Sequence, residues 1–480
     1  MKKIVLVYPK LGLSFTGRPP LPILCLAAYL ERAGLEVSVF DLNQEANWPE
    51  KLLKAAGEAL CVGVSAITGN QIKNGLEITK LIKKDFLHLP VIWGGVHPSL
   101  VPEETLKEDG VDIVVRGEGE ETLLDLARAL MGEKNLSDVL GISFKKDGRI
   151  VHNPPRGFLE MDNLPNPAWH FIDINNYYFS NLSSKNVALQ TSRGCPFRCE
   201  FCYNFEFNKN RWRKMSAKRI LEMIIPLKEK HQINGVVFWD DNFFVDFKRV
   251  EEFCRLLIDR NLNIKWEADC RIDFLARMDN DFLTLLKSSG LSALFLGAES
   301  GSPKVLKTIQ KGITVEEIIK SAELTAKFGF NVWYAFMIGF PEETEEDISL
   351  TIKMMKKVKQ INPLANTAIK VFSPFPGTPL YQKAKQAGFV LPKSLMEWGD
   401  YRPEDVKTPW TKHKFSPYFP LLTRFATEYD RFSGLFKNPF LKSLAKTFHL
   451  MEKFRWDYEF YHFPIELILV KKIAGKLGYL

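Results

Sequence analysis

The sequence lacks several things that would direct it elsewhere. No run of 18 uncharged apolar residues occurs, so no bilayer-spanning helix is expected. The N-terminus, Met1-Lys-Lys-Ile-Val-Leu-Val-Tyr-Pro9, has too short an apolar run for a signal peptide and no small-residue cleavage site. It reads as a first β-strand. Seven cysteines in 480 residues form no disulfide-like framework, which fits a reducing, cytoplasmic setting. Charge is not gathered into one long run. The net charge of +8 is mild for this length, so no nucleic-acid partner is expected, and contact with anionic lipid is equally compatible. No internal repeat or low-complexity segment stands out.

What is present begins with three cysteines, Cys195-Pro-Phe-Arg-Cys199-Glu-Phe-Cys202. They follow the run Val187-Ala-Leu-Gln-Thr-Ser-Arg-Gly194. Iron–sulfur cubanes usually take four thiolates, so three would leave one iron open to a ligand. The alternatives are buried thiols or a zinc site completed by a distant residue. No second cysteine pair exists to complete such a site. Cys25, Cys61, Cys254 and Cys270 are isolated and read as core thiols.

Residues 1–140 alternate strand and helix signals. Strands are expected at Ile4–Tyr8, Glu36–Phe40, Cys61–Ile67, Pro90–Trp93 and Asp112–Val115, with helices at Pro22–Ala33 and Gln71–Lys84. This pattern predicts an α/β fold with a doubly wound parallel sheet. Ligands of such sheets lie at the carboxyl ends of the strands. Gly12, Gly17, Gly69, Gly94, Gly95, Gly117 and Gly119 cluster there in the sequence. The G-x-G-x-x-G fingerprint of dinucleotide binding is missing after the first strand.

Residues 141–185 read as a linker rich in proline and aromatics: Pro154-Pro155, Pro165, Pro167, Trp169, Phe171, Tyr177, Tyr178 and Phe179. From 186 to 392 the alternation resumes, with strands expected at Ala188–Thr191, Gly235–Trp239, Lys265–Asp269, Ala293–Leu296, Val332–Met337 and Thr367–Val371. Six units fit a partial (β/α)6 barrel, whose active site would gather at the C-terminal strand ends. Residues 393–480 are expected to form a small, mostly helical domain. Fifteen aromatic side chains lie between Phe415 and Phe463, with Lys and Arg among them. They read as a cap on the barrel, a cover over an apolar substrate, or an interfacial membrane surface. The segment Leu467–Leu480 is apolar but too short and charged to span a bilayer.

The cysteine spacing, Phe201 before the last cysteine, and the strand leading into the loop resemble the radical S-adenosylmethionine (SAM) superfamily. That resemblance implies a [4Fe–4S] cluster on Cys195, Cys199 and Cys202. It also implies SAM chelated by the free iron and cleaved on reduction to a 5′-deoxyadenosyl radical. The electron would come from an external donor of flavodoxin or ferredoxin type. By the same match Phe201, Asp240, Arg271, Glu299, Ile338 and Gly339 would contact SAM: Glu299 at the ribose or amino group, Arg271 at the carboxylate, Ile338 and Gly339 at adenine, Asp240 near the methionine end. Each has a plainer alternative. Asp240-Asp241 also reads as a solvated turn, Glu299 as a helix-cap partner, and Arg271 as an ion pair with Asp269 or Asp273. Pro341-Glu-Glu-Thr-Glu-Glu-Asp347 reads mainly as an acidic helix start.

The N-terminal segment is similar to cobalamin-binding domains. The resemblance rests on Pro20-Leu-Pro22…Gly34, on Gly94-Gly-Val-His-Pro-Ser99 and on Val115-Arg-Gly-Glu-Gly-Glu120. It implies cobalamin near Gly94, Gly95, His97, Gly117 and Glu118. The D-x-H-x-x-G motif, whose histidine ligates cobalt in many such proteins, is absent. Base-off cobalamin without a protein histidine on the metal is therefore implied, and His97, whose imidazole could alternatively bind cobalt, is read as a loop cap near the cofactor tail.

Together these resemblances imply a radical SAM enzyme that methylates an unactivated carbon of an apolar small molecule. The alternative is a cyclase of the anaerobic magnesium-protoporphyrin type, using the same cofactors without methyl transfer. Methylthiotransferase chemistry would need a second cysteine trio in the N-terminal domain, where only Cys25 and Cys61 stand. A non-enzymatic metal-binding module is the remaining reading.

Overall fold

The structure, a computed structural model, describes residues 3–12, 17–177, 182–401, 408–410, 418–423, 425–426, 439–461 and 464–476. Tyr178, Phe179, Phe415, Tyr429, Phe432, Phe436 and Phe463 lie outside the described residues, as does the end of the apolar segment after Lys476.

The first sheet contains β1 (Lys3–Tyr8), β2 (Glu36–Asp41), β3 (Ala59–Ser65), β4 (Val91–Gly94), β5 (Ile113–Val115), β6 (Ile142–Lys146) and β7 (Arg149–His152). Their spatial order is β2-β1-β3-β4-β5-β6-β7. The first five are parallel, and both faces of β1 are buried, which is why Ile4–Tyr8 reads as an unbroken apolar run. The helix Leu21–Arg32 starts with Pro22 in its first turn, and the chain leaves it through Gly34 at φ +81°. The sheet continues past residue 140. β6 and β7 form an antiparallel hairpin over Asp147-Gly148, both with positive φ, as a tight two-residue turn requires.

The stretch after this hairpin is not a free tether. Leu159, Met161, Leu164, Trp169 and Ile174 are buried in the core of the second sheet. That sheet is six-stranded and all parallel, in the order β15-β14-β13-β12-β11-β8. Its strands are β8 (Asn186–Leu189), β11 (Gly235–Phe238), β12 (Lys265–Cys270), β13 (Leu291–Glu299), β14 (Asn331–Ile338) and β15 (Asn366–Val371). A two-stranded antiparallel ribbon, β9 (Ser192–Arg193) with β10 (Arg213–Lys214), stands outside it.

Helices between the strands carry strong caps. Thr314 and Glu317 form a reciprocal capping box at the helix Val315–Phe328, which ends at Gly329 with φ +63°. Thr344 and Asp347 do the same for Glu345–Ile361, so the acidic run does open a helix.

The C-terminal region divides its contacts. The helix Leu395–Gly399 packs on the N-terminal domain, with Trp398 fully buried, its indole N–H donating to Glu104 at 3.0 Å, and Lys73 pairing with Asp400 at 2.8 Å. Phe419, Leu422, Trp456 and Leu467 instead join the barrel core. Among the described residues no helix is long and apolar enough to cross a membrane.

Candidate active site

The cysteine loop leaves β8 and is pinched at its base by the β9–β10 ribbon. Residues 194–212 therefore form a lobe closed on itself. Gly194 stands at the pinch with φ +83°, and a Cβ there would lie 2.0 Å from the Arg211 carbonyl oxygen. Only glycine fits. Cys199 is buried, and Cys195 and Cys202 are half-buried. Burial pushes the Cys195 thiol up, and pushes Cys202 up to about 12. The thiols also feel one another's charge, so a cationic metal is the kind of group that would let them ionise. Among the described residues no three His, Cys, Asp or Glu side chains converge as one ion's ligands would. A multi-iron cluster takes its thiolates on separate irons, which sets them further apart.

Arg271 reaches this loop from the end of β12. Its guanidinium stacks on Phe197 at 3.6 Å from the ring centroid, lies 3.7 Å from the Cys199 sulfur, and donates to the Lys311 carbonyl at 2.7 Å. It also pairs with Asp273 at 2.8 Å. Ion pair and thiol contact thus belong to one side chain. Phe201 packs beside Phe340, with ring centroids 6.1 Å apart.

The two aspartates after β11 divide the labour. Asp240 is buried, not a solvated turn. Its carboxylate accepts from the Thr191 N–H at 2.6 Å, the Thr191 hydroxyl at 2.7 Å and the Ser192 hydroxyl at 2.6 Å, with Arg249 at 3.6 Å. Asp240 thus holds the segment that leads into the cysteines. Asp241 accepts from the Gly194 N–H at 2.9 Å and the Tyr203 hydroxyl at 2.6 Å. Burial and the Asp241 charge keep the Tyr203 phenol well above its ordinary range, so it remains a donor.

Glu299 ends β13 at φ +58° and pairs with Lys311 at 2.7 Å. Asp269 lies on β12 between the buried Ala268 and Cys270, exposed to water yet crowded by protein. Burial, then Asp241 and Asp240, push it up to about 7 against the pull of Lys311. After β14, Ile338 is buried and Gly339 turns at φ +83°. The Glu343 carboxylate accepts from the Gly339 and Phe340 N–H groups, and the Trp410 indole donates to the Gly339 carbonyl at 2.9 Å. Burial pushes Glu343 up to about 7, although the two N–H groups oppose it. Its second oxygen has no partner among the described residues.

The strand ends of the first sheet face the base of the cysteine lobe and the Asp241 turn across a cavity of about 360 Å³. Gly63, Ser65, Gly94, Gly95, Gly117, Glu118, Gly119 and Glu120 line one side; Gln190, Arg193, Tyr203, Trp239 and Asp241 line the other. The glycines make this hollow. A Cβ on Gly95 (φ +98°) would stand 2.6 Å from the Ala66 oxygen, and one on Gly119 would stand 2.9 Å from Leu26. A Cβ on Gly117 would meet nothing within 4 Å. Such a cradle, open on one side, fits a bulky planar cofactor.

His97 does not line the cavity. It is buried beside Thr68, 2.8 Å from Nδ1, and edge-on to Trp398 at 5.4 Å. Burial drops its pKa to about 3, so the ring is neutral, and Nε2 has no partner among the described residues.

Glu118 accepts from Arg193 at 2.9 Å, from Arg213 at 2.5 Å and from the Leu159 N–H at 2.8 Å. Burial opposes its ionisation, but the two arginines outweigh that and hold the carboxyl below its ordinary range. From sequence, Arg193, Arg213, Tyr203, Lys311 and Glu343 are not marked as site residues, and Asp241 and Asp269 enter only as a turn residue and an ion-pair alternative. Only the Arg-Gly step before Cys195 and the aspartate pair gave any local signal.

The family model of the radical SAM superfamily matches residues 189–355, and that of the B12 binding domain matches residues 17–127. An uncharacterized methyltransferase of Pyrococcus horikoshii is 32% identical over 411 residues, covering 83% of this chain and 86% of that protein. The anaerobic magnesium-protoporphyrin IX monomethyl ester cyclase of Rubrivivax gelatinosus is 27% identical over 470 residues, covering 94% of this chain and 81% of the cyclase. The solved structure of the cobalamin-dependent SAM radical enzyme OxsB, with aqua-cobalamin and SAM bound, superposes on all of this chain and 75% of its own at TM-score 0.74 and 20% identity. The chain belongs to the cobalamin-dependent radical SAM enzymes, a family whose similar members include methyltransferases and a cyclase.

Proposed function

We propose that this enzyme transfers a methyl group to a carbon of an apolar small molecule. The observation that carries the reading is a cavity shared between the strand ends of the first sheet and those of β8 and β11. It is lined by the glycine cradle on one side and by the loop-anchoring residues of the cysteine lobe on the other. Cofactors held on these two sides would share one enclosed space. When bound, SAM at the cluster supplies a carbon-centred radical, and cobalamin supplies the methyl group.

The chain's own residues have distinct tasks in this reading. Cys195, Cys199 and Cys202 hold the cluster and leave one iron for SAM. Arg271, stacked on Phe197 beside Cys199, would supply the positive charge that meets the SAM carboxylate. Glu299, with Lys311, meets the ribose or amino group. Phe201, Ile338 and Gly339 form the adenine side, and Glu343 braces that turn. Asp240 acts through the Thr191–Ser192 segment behind the methionine end. Gly94, Gly95, Gly117 and Glu118 would hold cobalamin, with His97 behind the cradle. Apolar lining from Leu6, Leu21, Ile23, Leu26, Ile92 and Val115 keeps water from that side.

Two partners complete the reading. An external flavodoxin or ferredoxin delivers the electron. Peripheral contact with the cytoplasmic face of a membrane is supported by the helix Pro439–Asp457 and the residue after it. Leu444, Leu450, Met451, Phe454 and Tyr458 lie exposed on one arc there, beside exposed Lys442, Lys446 and Lys453.

Cyclisation without methyl transfer is the second reading. What favours it is the breadth of the match to the Rubrivivax cyclase, over 94% of this chain. SAM carrying a labelled methyl group separates the two. Label in the product of the reconstituted enzyme supports methyl transfer. Product formed without label, alongside 5′-deoxyadenosine, rejects it for cyclase chemistry.

A further inference from the structure

The two halves of the cavity are joined by a buried charge network. Arg193 stands directly before Gly194 and two residues before Cys195. Its guanidinium forks across the boundary between the domains, 2.9 Å to Glu118 and 2.5 Å to Glu120. Arg213, on the paired strand β10, reaches the same Glu118 at 2.5 Å. All four side chains are nearly withdrawn from solvent, the acids at 6% and 4% exposure and the arginines at 14% and 15%. Two negative and two positive charges balance. Buried ions persist only when paired and hydrogen-bonded, so the network is sensitive to the loss of any member.

Its connections make it more than a fastener. Glu118 lies between Gly117 and Gly119 in the lining of the cavity, and Glu120 begins the helix Glu120–Leu130. On the other side the Gly194 N–H is held by Asp241, and Thr191 and Ser192 are held by Asp240. The segment that delivers Cys195 is thus gripped by the barrel on one face and by the cobalamin-side loop on the other.

We propose that Arg193 is a positioning residue that couples the two cofactor sites, so that filling one tightens the other. A ligand that orders Gly117–Glu120 orders Arg193, and with it the base of the cysteine lobe. By linkage the effect is reciprocal for binding. The inference rests on the proposed placement of cobalamin and cluster, and its test separates the two.

The full chain is prepared anaerobically with and without a reconstituted cluster. Affinity for hydroxocobalamin is then measured by visible absorbance. The wild type is expected to bind cobalamin about fivefold or more tightly when the cluster is present, the lower end of usual coupling. Arg193→Gln brings that ratio to about one while cluster absorbance remains. Arg213→Gln, which relieves Glu118 of one partner without touching Arg193, lowers the ratio in the same direction and serves if Arg193→Gln does not fold. Arg193→Lys keeps the charge, loses the fork, and falls between. Equal affinity with and without cluster in the wild type overturns the coupling and leaves the cofactor placement standing. So does a full ratio retained in both glutamine variants. Failure of the wild type to bind cobalamin at all overturns both.

Discussion

The carboxyl ends of β4 and β5 run into Gly94-Gly95 and Arg116-Gly117-Glu118-Gly119, whereas those of β11, β12 and β13 run into Asp240-Asp241, Arg271 and Glu299. These strands are parallel in both sheets, and both sets place ligand-facing loops at their carboxyl ends. One makes room by omitting Cβ atoms. The other fills its space with buried charge, each group held by named partners. A large, nearly rigid cofactor is recognised by shape, so the first sheet needs a hollow. A zwitterion with a ribose and an adenine is recognised by charge and hydrogen bonds, so the second needs an array. The same βα repeat serves two recognition problems through what stands one or two residues past each strand.

The comparison can be broken most severely at the cysteines. Cys195→Ala, Cys199→Ala and Cys202→Ala each abolish cluster absorbance and 5′-deoxyadenosine formation after anaerobic reconstitution. Cobalamin affinity survives in each, reduced only to the level of cluster-free wild type. Iron analysis showing a normal cluster in any of the three would remove that cysteine from the site.

A pair of glycine substitutions sharpens the contrast with a smaller effect. Gly194→Ala and Gly95→Ala both force a Cβ against a backbone oxygen at positive φ, with strain on the order of 1–3 kcal/mol each. Gly194→Ala is expected to impair cluster assembly and spare cobalamin affinity beyond the coupling already described. Gly95→Ala should do the opposite. Equal loss of both cofactors in both variants would mean that the glycines only stabilise the fold.

The mildest test concerns Glu343. Its folded pKa, pushed up by burial to about 7, lies above its ordinary value of 4.5. The folded state therefore holds the proton more tightly than the unfolded chain. This contribution to stability is present below pH 4.5 and is lost as pH rises through 7. At about 1.4 kcal/mol per pKa unit the loss is on the order of 3 kcal/mol. Glu343→Gln keeps an acceptor for Gly339 and Phe340 but cannot ionise. Urea midpoints between pH 5 and 8 should fall less steeply in the variant than in the wild type. Parallel slopes would show that the group does not titrate in this range.

Much of this layout was legible in the chain. Continuous apolar runs gave the buried parallel strands, and the spacing of Cys195, Cys199 and Cys202 gave the lobe's chemistry. Other features depend on distance in sequence. Glu118 meets Arg193 and Arg213 across 75 and 95 residues, and Trp398 meets Glu104 across 294. No local pattern encodes such partners. Asp240 and Asp241 look alike in sequence because only strand register decides which one faces the cavity. The hairpin β6–β7 is different. Its Asp147-Gly148 step is a recognised turn signal between two alternating segments, and it was readable within what looked like the start of a linker.

The central claim is that both cofactors occupy one cavity, and electron paramagnetic resonance tests it directly. The reduced cluster and cob(II)alamin each carry unpaired electrons. In protein loaded with both, the account predicts spectra broadened or split by magnetic interaction between them. Spectra that are the plain sum of the two singly loaded forms would contradict it.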